Sequence, residues 1–147
     1  MRMSLAVVVI ALLTMSMTAN WQTNFVKAKE EAKSEHKYLL LNFSGSDWCL
    51  PCGRTKKEIF EDKSFNAFAA SNLVLVNADF PRLKKNKLSV AQTKENEALA
   101  EQYDKQGAFP LTILFDADGK ILKQWVGFPA ENAGKFIEQI KSVEQRN

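Results

Sequence analysis

The stretch YLLLNFSGSDWCLPCGR, Tyr38 to Arg54, sets a short apolar run directly before the only two cysteines of the chain. Tyr38 to Phe43 has the length and unbroken apolar character of a strand covered on both faces, so it reads as a central strand of a sheet. Ser44 to Asp47 turn the chain, and a helix begins around Cys49. Cys49 and Cys52 are three positions apart, a spacing that brings two sulfurs within bonding reach on the first turn of a helix. Pro51 falls in that turn, where its missing N–H leaves no bond unmade and its fixed φ stiffens the pair.

Such a pair can bind a metal, staple the fold or do chemistry. A structural zinc site needs four ligands, and the chain offers Cys49, Cys52 and the single His36. No metal is expected. A structural disulfide at this separation closes a loop of only a few residues and removes little entropy from the unfolded chain. It would be a weak staple. The remaining reading is a reversible dithiol. At the start of a helix the Cys49 thiolate faces unpaired backbone N–H groups and the positive end of the helix dipole, which lowers its pKa. Cys49 would then attack a partner disulfide, and Cys52 would displace the reduced partner from the mixed disulfide. His36, at the end of the first helical segment, reads as a helix-end cation rather than a base.

Composition sets the frame for this chemistry. The chain has 147 residues, 46% hydrophobic and 25% charged, the balance of one soluble globular domain. A formal charge of +3, without obvious clustering of the cations, leaves no footprint for nucleic acid. The first nineteen residues, MRMSLAVVVIALLTMSMTA, hold one Arg, no acid and an apolar run from Leu5 to Leu13. That is the order of a secretory signal, with cleavage after Ala19 and a domain over residues 20–147. An uncleaved anchor is the alternative, because Met17 is bulky for its place before the cut. After cleavage the domain is expected in the periplasm or secreted, where disulfides persist.

The remaining chain alternates helix and strand. Trp21, Phe25, Ala28 and Ala32 lie on one face of a helix predicted over Asn20 to His36. The cysteine helix runs to about Phe60, restarts at Asp62 as an N-cap, and buries Phe65, Phe68 and Ala69. NLVLVNADF, centred on Leu73 to Val76, is a second strand, parallel to the first through a right-handed crossover. Pro81 to Pro110 opens as a basic loop and becomes helical by Glu95, with Leu99 and Tyr103 one turn apart. Two apolar stretches flanking Asp118-Gly119 form a hairpin. A last helix, Ala130 to about Val143, buries Ala133, Phe136, Ile137 and Ile140. The expectation is an α/β fold, a central mixed sheet of about four strands with helices on both faces.

WC-x-PC after a strand, followed downstream by YDKQGAFPLTILFDADGKILKQWVGF, resembles thioredoxin, and in particular the exported thioredoxin-like proteins with GSDWC before the motif. The resemblance covers Trp21 to Val143, and several separated features agree: the dithiol, the proline before the third core strand, the Asp-Gly hairpin and the glycine at its end. It implies a thioredoxin fold and a thiol:disulfide oxidoreductase without cofactor. It implies that Pro110 is a cis-proline opposite the dithiol, and that Phe109 offers backbone N–H and C=O to an extended substrate strand. Trp48 and Leu50 would flank the reactive sulfur, and Gly127 would keep the substrate-facing rim clear. The expected partners are disulfide-containing proteins and, by family precedent, a membrane protein that supplies electrons. The protein is expected to act as a monomer.

The chain departs from the pattern at three places. Asn42 stands where thioredoxins carry a buried Asp that exchanges a proton with the second cysteine, and Asn cannot take that proton. Asp47, Glu58 or water would have to serve. Leu50-Pro51 replaces the commoner Gly-Pro and lacks the His of strong oxidants, so fewer donors favour the thiolate and the protein is expected to be reducing. Pro81 to Asn96 is longer and more basic than the compact connection in thioredoxin. It reads either as a solvated loop or as a docking site for an acidic partner.

Overall fold

The computed structural model describes residues 18–147. The expected signal segment falls almost wholly outside them. Among the described residues no helix is long and apolar enough to cross a membrane.

Five strands form one sheet in the order β1-β3-β2-β4-β5. They are β1 (Trp21–Gln22), β2 (Tyr38–Ser44), β3 (Leu73–Asp79), β4 (Leu111–Phe115) and β5 (Ile121–Val126). Strand β2 is central, parallel to β3 and antiparallel to β4. The helices are α1 (Phe25–Glu35), α2 (Leu50–Thr55), α3 (Lys63–Asn72), α4 (Val90–Tyr103) and α5 (Ala133–Glu144). A single π-helical turn, Lys56–Phe60, continues α2.

Alternation along the strands divides the core. Leu39, Leu41 and Phe43 of β2 join Val74, Val76 and Ala78 of β3 against Phe25, Ala28 and Ala32 of α1 and Leu99 of α4. On the other face Leu40, Leu73, Leu75 and Leu114 pack under Phe65 and Ala69 of α3 and Phe136, Ile137 and Ile140 of α5. The helices thus cover both faces of an α/β thioredoxin fold, as expected.

Two expectations at the N-terminus are corrected. Helix α1 starts at Phe25, because the Asn24 side chain accepts the Lys27 N–H at 2.9 Å and caps it there. Trp21, expected on that helix, instead begins a parallel edge strand beside Leu75. Its indole crosses to the opposite face of the sheet and packs on Phe60 with ring centroids 4.8 Å apart. The sheet therefore has five strands rather than four. One other helix moves by a few residues for the same local reason: Asn132 caps α5, starting it after Ala130. Ser89 caps α4, so the stretch expected to be helical by Glu95 is helical from Val90.

Phe136 sits fully buried among Phe60, Phe65 and Trp125, with the Trp125 centroid 5.0 Å away. Phe136→Ala is expected to lower unfolding free energy by about 3–5 kcal/mol, measured as a fall in the urea midpoint with an unchanged slope.

Candidate active site

The face of β2 that packs on α3 and α5 changes character along its length. Leu40 is apolar, and the next two residues on that face are Asn42 and Ser44. The register places Asn77 and Thr112 beside Asn42, and Asp79 beside Ser44. A polar row therefore crosses three strands at one end of an otherwise apolar sheet. Its groups satisfy one another, as buried polar atoms must. Thr112 Oγ1 donates to Asn42 Oδ1 at 3.1 Å, and Asn42 Nδ2 donates to Asn77 Oδ1 at 2.9 Å. Ser44 Oγ donates to Asn77 Oδ1 at 3.2 Å. The row ends on Asp79, which accepts the Ser46 N–H at 2.9 Å and the Ser46 hydroxyl at 2.6 Å. Asp79 thus anchors the turn that leads to the cysteines.

Cys49 and Cys52 are joined by a disulfide with their Cα atoms 5.2 Å apart. Cys49 is the N-cap of α2, and its sulfur accepts the Cys52 N–H at 3.3 Å. That donor would serve a thiolate at the same place. Pro51 lies in the first turn, as expected, and its carbonyl accepts the Thr55 hydroxyl at 2.8 Å. Leu50 is 88% exposed, whereas both cysteines are buried. They differ in surroundings rather than in depth. Cys52 lies on the wall of a cavity of about 480 Å³ shared with Asn42, Ser44, Ser46, Lys56 and Glu61.

Trp48 is held from three sides. Its Nε1 donates to the Phe80 carbonyl at 2.7 Å, its ring meets Phe109 edge-on at 5.3 Å, and the Arg82 guanidinium stacks on it at 3.7 Å. Gly45 lies so close beneath the indole that a Cβ there would collide with it. Phe109 and Pro110 precede β4, and the peptide bond between them is cis. Pro110 accepts the Gly127 N–H at 2.8 Å. Among the described residues the Phe109 N–H and C=O have no hydrogen-bond partner. Gly127 has φ +78, a conformation that other residues rarely adopt, and a Cβ there would meet only open space. The turn requirement and the open rim coincide.

The two carboxylates expected to substitute for the missing buried Asp lie elsewhere. Asp47 accepts from the N–H groups of Arg82 and Leu83 and from the Asn86 amide at 2.9–3.0 Å. The Arg82 N–H first, and then the Asn86 amide, hold its carboxyl below the usual carboxylate range. Glu58 pairs with Arg54 on the exposed face of the helix. The ionisable side chains on the wall of the Cys52 cavity are Lys56 and Glu61, which pair with each other. Lys56 follows Cys52 by one helical turn, a spacing visible in the sequence but without meaning until the cavity places it.

Residues 25–143 match the family model of the thioredoxin-like domain. The chain belongs to the thioredoxin-like family. It is 34% identical over 123 residues to a Chlamydia pneumoniae protein named disulfide bond reductase DsbH, covering 84% of this chain and 71% of that one. A solved structure of a DsbH oxidoreductase superposes with a TM-score of 0.77 at 32% identity, covering 88% of this chain and 87% of that one. The thioredoxin-related protein DsbJ of C. pneumoniae is 29% identical over 82% of this chain, which spans 34% of that protein's length. This thioredoxin-like protein is a thiol:disulfide oxidoreductase, and the family assignment rests on nearly the whole domain.

Asp104 and Asp79 are positioning groups that sequence reading passed over. At the end of α4, Asp104 Oδ1 accepts the Ala108 N–H at 2.7 Å and so fixes the chain just before Phe109. Burial pushes its carboxyl above the usual range, against the lowering effect of the Ala108 and Gly107 N–H groups. Because the folded pKa lies above the unfolded one, the stabilising effect of the protonated group is present at low pH. It is lost as pH rises through the folded value. Asp104→Asn should therefore gain stability over wild type as pH rises between about 4 and 7. Urea midpoints at both ends of that range test this, and a gap that does not widen with pH would refute it.

Proposed function

We propose that this protein is an extracytoplasmic protein-disulfide reductase, exported by residues 1–19 and acting as a monomer. The observation that carries the proposal is the Cys49–Cys52 pair at a strand-to-helix junction, beside a backbone segment with free hydrogen-bonding groups. The name of the 34% identical relative, disulfide bond reductase, supports the direction. So does the CLPC motif itself, whose intervening residues add no His to favour the thiolate.

A substrate segment extends along Phe109 and pairs with its unpartnered N–H and C=O, adding one short strand to the site. Trp48, Leu50, Pro51 and Gly127 shape the surface around it. The Cys49 thiolate attacks one sulfur of the substrate disulfide. A mixed disulfide forms and the other substrate sulfur leaves as a thiolate. Cys52 then gives its proton to the Glu61 carboxylate, which lines the same cavity, and attacks the Cys49 sulfur. The substrate's second sulfur is released, the enzyme disulfide forms, and two electrons have passed to the substrate. A membrane donor protein must restore the dithiol.

Reduced protein should reduce insulin disulfides under dithiothreitol recycling, and Cys49→Ser should abolish this. Cys52→Ser should accumulate a mixed disulfide with substrate. A glutathione equilibrium giving a potential near that of strong oxidants, about −120 mV, would overturn the reductase direction. Loss of both insulin reduction and trapping would leave only a binding module.

The proton route has its own test. Glu61→Gln should slow resolution of the mixed disulfide across its pH profile, while formation of the mixed disulfide is unaffected. An unchanged profile would exclude Glu61.

A further inference from the structure

Residues 81–89, PRLKKNKLS, carry Arg82, Lys84, Lys85 and Lys87 and no acid. A solvated loop would hold such charges anywhere around its stem. Here the loop and the residue before it are fastened to the dithiol segment by five contacts from two adjacent residues. The Asp47 carboxylate accepts the Arg82 and Leu83 N–H groups and the Asn86 side-chain amide. Trp48 donates to the Phe80 carbonyl and carries the Arg82 guanidinium on its ring at 3.7 Å. Cys49 is the next residue. A 3₁₀ turn, Lys84–Asn86, stiffens the middle of the loop.

The four cations are exposed, and among the described residues none forms an ion pair. Asp47 offsets one of them, and Asp79 and Glu97 share the groove past Trp48 with Arg82 and Lys87, so the net excess of positive charge beside the reactive sulfur is small and sits on Lys84 and Lys85. Arg82 and Lys87 line a groove that runs past Trp48 to Phe109, with Glu97 on its α4 side. Leu83 adds an apolar side chain that is 48% exposed. A chain docked on Phe109 that continues over Trp48 must pass this loop.

We infer that the loop is a specificity element selecting disulfide-bearing polypeptides with acidic residues close to the reactive cysteine. The inference rests on the reductase reading for its substrate and on charge complementarity for its selectivity. Fixed cations at a docking surface attract an acidic partner mainly through association rate, and salt suppresses the effect. The Debye length falls from about 10 Å at 0.1 M to about 3 Å at 1 M.

Two disulfide peptides differing only in Asp or Lys residues flanking the cysteine test this through the ratio of their kcat/KM values. At low ionic strength the acid-flanked peptide should be favoured by about tenfold or more. The ratio should collapse toward one at 1 M salt, which requires no variant. Combined Lys84→Glu, Lys85→Glu and Lys87→Glu changes should remove or reverse it. A ratio near one in wild type, or one that neither salt nor the triple variant alters, would overturn the inference. A cysteine-free Asp-rich peptide followed by fluorescence anisotropy separates this outcome from failure of the reductase reading. It should bind wild type more tightly than the triple variant whether or not any disulfide is reduced, and equal binding would refute the loop's role.

Discussion

Strand β2 is bonded on both sides and covered on both faces, so it can release the chain to a reactive site only where its surroundings cease to be apolar. That change is made by the row from Thr112 through Asn42, Asn77 and Ser44 to Asp79. Each member would be costly to bury alone, because an unpaired polar group loses its water without replacement. Linked across three strands they are tolerated, and they supply the polar side of a cavity at one end of the sheet that Trp21 and Phe60 line on its apolar side. Cys52 faces that cavity, and the turn that carries Cys49 hangs from its last member, Asp79.

The same arrangement explains how the protein manages without a buried carboxylate beside the dithiol. An Asp at position 42 would bring a charge into a site 5% exposed, next to Asn77 and Thr112. Asn instead donates on one side and accepts on the other, which suits the row. The acidic groups lie further out, with Glu61 at the cavity wall and Asp47 turned toward the basic loop. Asp47 is thereby committed to fastening the loop, while Glu61 at the cavity wall pairs with Lys56.

Much of this was legible in the chain because the relevant signals are local. The apolar run of β2, the apolar centre of β3, the Asp-Gly hairpin and the N-cap at Asp62 all act within a few residues. The error at the N-terminus was also local in origin. A four-residue interval from Trp21 to Phe25 imitated a helix face, while Asn24, a strong capping residue, already marked the start. The basic loop was harder, since nothing in PRLKKNKLS distinguishes a solvated loop from a fastened one. Its docking depends on Asp47 and Trp48, more than thirty positions earlier in the chain.

Sequence alone determined the α/β class, the dithiol, the proline before the third core strand and the exchange of Asp for Asn at position 42. These follow from residue type, spacing and family resemblance, which a linear string carries. Tertiary structure alone decided that Trp21 completes a fifth strand, that Asp47 and Glu58 are engaged elsewhere, and that Lys56 and Glu61 share a cavity with Cys52. The reason is that a carboxylate's role depends on which donors lie within hydrogen-bond reach. For Asp47 those donors arrive on a loop that the strand order of the sheet brings alongside.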